Sequence, residues 1–107
     1  MTDPAAEAEL RARVDEALRG VIDPEIGLDV VELGLVYGVE VQGGAVRIDL
    51  TMTTPACPLG EHIQRDAEQR VRALAGVTDA VVRLVWDPPW SPARMTDAAR
   101  RLLGWGG

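Results

Sequence analysis

Apolar side chains recur at helical spacing near the start of the chain. The set is Leu10, Val14, Ala17, Leu18 and Val21, and acidic and basic residues lie between its members. Asp3 followed by Pro4 is typical of a helix N-terminus, and Gly20 is a natural C-terminal stop. The pattern therefore predicts an amphipathic helix over residues 4–19, with a solvated charged face.

Strict alternation of apolar and other residues covers residues 35–52. The apolar members are Leu35, Tyr37, Val39 and Val41 before a Gly-Gly pair, and Val46, Ile48, Leu50 and Met52 after it. Alternation on both sides of Gly43-Gly44 predicts a β-hairpin with a two-residue turn. The predicted partners are Val41 and Val46, Val39 and Ile48, Tyr37 and Leu50, and Leu35 and Met52. All eight would share one face, and Glu40 would pair with Arg47 on the other.

A second helical pattern and a third strand follow the hairpin. Leu59, Ile63, Ala67, Val71 and Leu74 recur every three or four residues, which predicts a helix over residues 58–75. Residues 77–86 are rich in β-branched side chains and alternate, with Ala80, Val82, Leu84 and Trp86 on the predicted core face. Because a helix joins the second and third strands, we expect the third strand to run parallel to its neighbour.

The segment 87–95 contains three prolines and is predicted to be a loop, because proline lacks a backbone donor. Trp90 and Met95 are costly to leave in water, so we expect this loop to lie back over the sheet or against a partner. Thr96 or Asp97 would then begin a short helix that ends at Gly104.

These elements predict one small α/β (α+β) domain spanning residues 1–107. Its order is helix, strand, strand, helix, strand and a short C-terminal helix, with a three-stranded mixed sheet and the helices packed on one face. The net charge of −6 and the sequence pI of about 4.6 argue against a nucleic-acid role. No apolar run reaches the roughly 18 residues of a membrane span, and we expect no secretory signal and a cytoplasmic location.

The single cysteine, Cys57, lies where the alternating pattern ends and the second helical pattern begins. If Pro58 is the first helical residue, Cys57 is the N-cap and faces free backbone N–H groups. These groups and the helix dipole favour the thiolate, which attacks electrophiles and binds soft metals. The alternative is that Cys57 is a small buried apolar residue.

The residues around Cys57 limit its chemistry. His62 is the only histidine, and it points about 140° away from the Cys57 direction on a helix, which disfavours a catalytic dyad. Zinc and iron–sulfur sites generally need four ligands, and one chain offers a single thiolate. A homodimer could share a cluster between two Cys57 thiolates, with carboxylates, small thiols or a client protein completing the site.

Four carboxylates precede the hairpin: Asp23, Glu25, Asp29 and Glu32. No arginine lies between Arg19 and Arg47 to neutralise them locally. One interpretation is a solvated loop in which Asp23 starts a turn and Asp29 caps a helical turn. The other is that these carboxylates fold back toward Cys57.

Several segments together resemble a known family. They are Asp23-Pro24-Glu25, Asp29, residues 32–37 (ELGLVY), residues 53–59 (TTPACPL), residues 86–90 (WDPPW) and Arg94-Met95. In this order they resemble the SufT and PaaD-like metal–sulfur (iron–sulfur) cluster assembly family, domain-of-unknown-function family fifty-nine, over residues 8–103. PaaD-type proteins carry further cysteines in a C-terminal segment, so the general assembly-factor branch is expected here.

The resemblance implies a non-enzymatic auxiliary factor in iron–sulfur cluster assembly or delivery to apoproteins. Its functional pocket would contain Asp23, Glu25, Thr53, Thr54 and Cys57, with Cys57 as a transient metal ligand or client contact. It implies a transient iron–sulfur cluster or iron and no permanent cofactor. The expected partners are the assembly machinery and client apoproteins, which would contact Trp90 and Met95, with no nucleic acid and no membrane. A protein–protein adaptor and a cysteine-dependent enzyme remain the alternatives.

Overall fold

The computed structural model describes residues 4–53 and 59–104. The helices are α1 (Pro4–Leu18), α2 (Gly60–Arg72) and α3 (Asp97–Leu103), and a 3₁₀ turn covers Pro92–Arg94. The strands are β1 (Ile22–Asp23), β2 (Leu28–Asp29), β3 (Val36–Gln42), β4 (Ala45–Leu50) and β5 (Asp79–Leu84). None of these helices is long and apolar enough to cross a membrane.

The main sheet has the order β3-β4-β5, with β3 antiparallel and β5 parallel to β4. The predicted mixed sheet and the crossover through α2 are therefore confirmed. Apolar side chains of α1 and α2 pack against one face of this sheet and form the core. Its fully buried members include Val14, Leu18, Ile48, Leu50, Ile63, Ala67, Val71 and Ala80.

The hairpin register is confirmed near its turn and wrong at its far end. Val41 pairs with Val46, Val39 with Ile48 and Glu40 with Arg47, as predicted. A bulge between Val36 and Gly38 then inserts Tyr37 as an extra residue, so Leu50 pairs with Val36, and the backbone N–H of Thr51 donates to Leu35 O. The predicted Tyr37–Leu50 and Leu35–Met52 pairs are therefore absent, because a bulge offsets one strand by one residue.

Two predicted boundaries also change. Helix α2 begins at Gly60 with Leu59 as its N-cap, so the predicted N-cap at Cys57 is wrong by two residues. Strand β5 ends at Leu84, and Trp86 lies beyond it with 42% of its surface exposed, not on the core face.

An ion pair links β4 to β5 and makes stability depend on pH. Asp49 Oδ1 lies 3.0 Å from Arg83 Nε and 2.9 Å from its Nη2. This hydrogen bond lowers the pKa of the Asp49 carboxyl below its usual value. The pair therefore stabilises the fold above the unfolded pKa of about 3.9, and this stabilisation is lost as pH falls through the lower folded pKa.

We expect Asp49→Asn to be less stable than the wild type at neutral pH, by a difference that shrinks in acid. Urea unfolding of both proteins across the acidic range measures this difference. Glu9→Gln, at an exposed position of α1, serves as the control and should show no such trend. A difference that stays constant from neutral pH to pH below about 3 would contradict the ion-pair explanation.

Candidate functional site

The acidic segment after α1 is more ordered than the predicted loop. Strands β1 and β2 pair antiparallel, Ile22 with Asp29 and Asp23 with Leu28, which the sequence analysis did not predict. A helical turn then begins at Asp29, whose Oδ1 accepts from the backbone N–H groups of Val31 and Glu32 at 3.0 Å. The predicted capping role of Asp29 is confirmed. Its carboxylate is hydrogen-bonded to the backbone.

Asp23 starts the turn between β1 and β2, as predicted. Its backbone oxygen accepts from Ile26 N at 3.2 Å and Gly27 N at 2.7 Å, and its Oδ1 accepts from Glu25 N at 2.9 Å. The Asp23 side chain is only 2% exposed, whereas Glu25 is exposed. No side chain in the described part of the chain pairs with the Glu25 carboxylate. Asp23 thus holds the turn that presents Glu25 to solvent.

Glu32 anchors the C-terminal tail, residues 87–104. Its Oε1 accepts from Arg19 Nη1 at 3.1 Å, and its Oε2 accepts from the Thr96 hydroxyl. The backbone N–H of Thr96 also donates to Glu32 O at 2.9 Å. Of the four carboxylates, Asp23, Asp29 and Glu32 therefore have structural partners, and Glu25 has none within the described residues.

Backbone hydrogen bonds connect the hairpin formed by β1 and β2, here called the carboxylate hairpin, to the end of β4. Val30 N donates to Val21 O at 3.0 Å, and Leu35 N donates to Val30 O at 2.9 Å. Thr51 N then donates to Leu35 O at 2.8 Å. These three bonds fix β1 and β2 beside the residues that lead from β4 to Thr53, which is half-buried. Thr54 and Cys57 lie outside the described residues.

Thr51 is a further candidate site residue that the sequence pattern did not indicate. Its side chain is 1% exposed, and its Oγ1 has no hydrogen-bond partner among the described residues. An unpaired buried hydroxyl costs about 1–3 kcal/mol. The alternating pattern gave no signal for this burial, because it placed Thr51 on the polar face of the hairpin.

The tail lies back on residues 33–37, which confirms one of the two predicted arrangements. Trp90 Nε1 donates to Leu33 O at 2.7 Å, and the Tyr37 hydroxyl donates to Pro88 O at 2.8 Å. Met95 is 4% exposed within the core, so its side chain is buried by this chain itself, whereas Trp90 is half-buried. A partner contact through Trp90 remains a prediction.

Metal-binding side chains do not converge within residues 4–53 and 59–104. No group of three or more His, Cys, Asp and Glu side chains there could hold a metal ion. His62 is exposed on α2, as expected for a surface histidine.

Known proteins match the chain along most of its length. A family model described as iron–sulfur cluster assembly protein matches residues 11–83. The chain is 38% identical over 99 residues to the Fe-S protein maturation auxiliary factor YitW of Bacillus subtilis, covering 92% of this chain and 97% of that protein. It is 40% identical over 85 residues to the Fe-S protein maturation auxiliary factor SufT of Staphylococcus aureus, covering 78% and 97%.

A solved structure supports the same assignment. The crystal structure of a domain of unknown function, DUF59, from Bacillus anthracis superposes with a TM-score of 0.90 at 35% identity. The superposition covers 95% of this chain and 98% of that one, so the two share their overall fold. On its sequence and its fold, the chain belongs to the iron–sulfur cluster assembly protein family, DUF59.

Proposed function

We propose that this protein is a non-catalytic auxiliary factor in the maturation of iron–sulfur proteins, with Cys57 as a transient contact for the cluster or client. The observation that carries the proposal is the hydrogen-bonded path from the carboxylate hairpin through Leu35 to Thr51. This path supports the proposal, because it ties the β1–β2 hairpin, to which Asp23 and Glu25 belong, to Thr51 after the end of β4. Relatives that this chain covers to 97% of their length, named maturation auxiliary factors, support the proposal.

The roles of the two carboxylates differ. Glu25 is exposed and has no described partner, so it would supply an oxygen donor beside the thiolate. Asp23 would act as a positioning residue, because its Oδ1 holds the backbone of Glu25. Carboxylate oxygen is a harder donor than thiolate and suits soft iron–sulfur species less well. A site with one thiolate and one carboxylate would therefore hold a cluster loosely enough to release it. Thr53 and Thr54 would orient the site by hydrogen bonds.

Anaerobic reconstitution with ferrous iron and sulfide tests cluster contact. We expect the wild type to retain iron and Cys57→Ser to lose at least about 10-fold in retained iron, since a soft ligand is removed. Glu25→Gln should lose a smaller fraction, and Glu9→Gln, an exposed glutamate on α1, should match the wild type. Equal and negligible iron in the wild type and Cys57→Ser would overturn direct cluster contact.

A protein–protein adaptor is the second candidate function. It is favoured by Trp86, which is 42% exposed, because tryptophan is enriched at interfaces. An adaptor would bring clients to the assembly machinery without holding a cluster. Equal and negligible iron in the reconstitution, with client maturation intact in Cys57→Ser, would favour this function.

A further inference from the structure

A groove of about 600 Å³ lies between α1 and β3. Helix α1 lines it with Ala8, Arg11, Ala12 and Asp15, and β3 lines it with residues 36–39. Apart from Arg11 and Asp15, the lining consists of alanine, valine, tyrosine and glycine. The groove is therefore largely apolar, with one cation and one anion.

The groove follows the edge of β3 and not a face of the sheet. Side chains of a strand alternate between faces, so a groove on one face would be lined by every second residue. Here Val36, Tyr37, Gly38 and Val39 line it consecutively, and β3 is the first strand in the sheet order. The backbone of an edge strand is thus accessible from the groove.

The ladder of the hairpin shows which backbone groups are free. Gln42 and Ala45 flank the two-residue turn and form a hydrogen-bonded pair, so alternate pairs from there toward the far end are not bonded. Val39 and Ile48 are such a pair, and the N–H and C=O of Val39 point away from β4. No residue in the described ranges hydrogen-bonds to them. They are available to an added strand.

The two charges in the groove are balanced and only partly paired. Arg11 has no ion-pair partner within the described ranges. Asp15 Oδ2 lies 3.4 Å from Arg19 Nε, but both side chains are exposed, and such pairs contribute little. Glu7 accepts from Gly43 N at the turn end of β3 and does not line the groove. A partner that complements this groove must therefore offer one charge of each sign.

We infer that this groove is a dimer interface, occupied by α1 and β3 of a second copy of the chain. Because the lining carries one cation and one anion, it complements a second copy of itself better than a uniformly acidic or basic segment. Antiparallel pairing of the two β3 edges about a two-fold axis would join the sheets, with main-chain hydrogen bonds between the two Val39 residues. Such a dimer is independent of cluster handling at Cys57.

The same two-fold axis would bring opposite charges of the two α1 helices together. An axis perpendicular to the sheet keeps both helices on one face and makes them antiparallel. With the axis at the middle of the groove, Ala8 of one helix lies opposite Asp15 of the other. Helix side chains lean toward the N-terminus, so Arg11 leans toward Asp15 of the second copy and that Asp15 leans back toward Arg11. The small side chains of Ala8 and Ala12 leave room for this approach.

Sedimentation velocity of the full chain over a concentration series tests the proposal. We expect the wild type to form a species of twice the chain mass of 11.5 kDa. Arg11→Asp and Asp15→Arg should each raise the dimer dissociation constant at least ~10-fold, because each places like charges together. The double variant restores opposite charges and should return this constant to within ~3-fold of the wild type. Arg65→Asp, at an exposed position of α2, should leave it unchanged.

Hydrogen exchange measures the strand pairing directly. The Val39 amide should be protected at concentrations where the dimer forms, because its N–H then donates to the second copy. It should lose this protection on dilution and in Arg11→Asp. A wild type that stays monomeric, single variants that dimerise as well as the wild type, a double variant that does not recover, or Val39 exchange that is independent of concentration would overturn the proposal.

Discussion

Gly34→Ala is expected to destabilise the protein by about 2–5 kcal/mol, because two effects add at this position. Gly34 has a φ of 71°, a left-handed conformation that costs about 1–2 kcal/mol for a residue with a Cβ. A Cβ built there would lie 2.0 Å from Arg94 O and 2.5 Å from Arg94 C. These are backbone atoms, so relief of the clash requires the tail to move. Urea unfolding of the wild type and variant measures the loss.

Gly43→Ala separates the two effects. Gly43 in the hairpin turn has a φ of 61°, but a Cβ there would meet no atom within 4 Å. This variant should therefore show only the conformational cost of about 1–2 kcal/mol. If Gly34→Ala were no more destabilising than Gly43→Ala, the tail could not be packed on Gly34 in solution.

The segment 30–35 connects three parts of the molecule, which is why Gly34 matters to the proposed site. Glu32 binds the Thr96 end of the tail, Leu33 O accepts from Trp90, and Leu35 O accepts from Thr51 at the end of β4. At its start, Val30 is bonded to Val21 beside β1. Displacement of the tail from Gly34 should therefore also loosen the carboxylate hairpin relative to β4.

Periodicity predicted the main elements because each buries one face against a common core. The alternation around Gly43-Gly44 identified both strands, and the helical spacing from Leu59 to Leu74 identified α2. Periodicity could not reveal the bulge at Tyr37. An extra residue in β3 leaves apolar and polar residues alternating along the sequence but shifts their partners on β4. The Tyr37 hydroxyl at the bulge donates to Pro88 O, 51 residues away, a contact that the alternation does not signal.

The candidate site was predictable where its contacts are local. Asp29 caps the turn that immediately follows it, and Asp23 bonds to Glu25, two residues away. The role of Glu32 was not predictable, because its partner Thr96 lies 64 residues along the chain. The burial of Thr51 likewise depends on tertiary packing and has no signature in the alternation.

Met95→Ala is expected to destabilise the protein by about 2–5 kcal/mol, because a buried side chain would be replaced by a cavity. The Met95 side chain is 4% exposed and belongs to the core, although the sequence analysis assigned it to partner binding. Met95→Leu keeps the volume and should cost less than about 1.5 kcal/mol. Urea unfolding with Leu102→Ala as the control, at a position 75% exposed, measures both effects.

The same variants test whether Met95 stabilises the core or contacts clients. If Met95 is a core residue, Met95→Leu should keep both stability and client binding, and Met95→Ala should lose client binding only to the extent that it unfolds. If Met95→Ala were as stable as the wild type and still failed to bind clients, the tail would lift from the core and expose Met95. Partner binding would then compete with the hydrogen bond from Trp90 to Leu33, and the tail would couple client contact to the carboxylate hairpin.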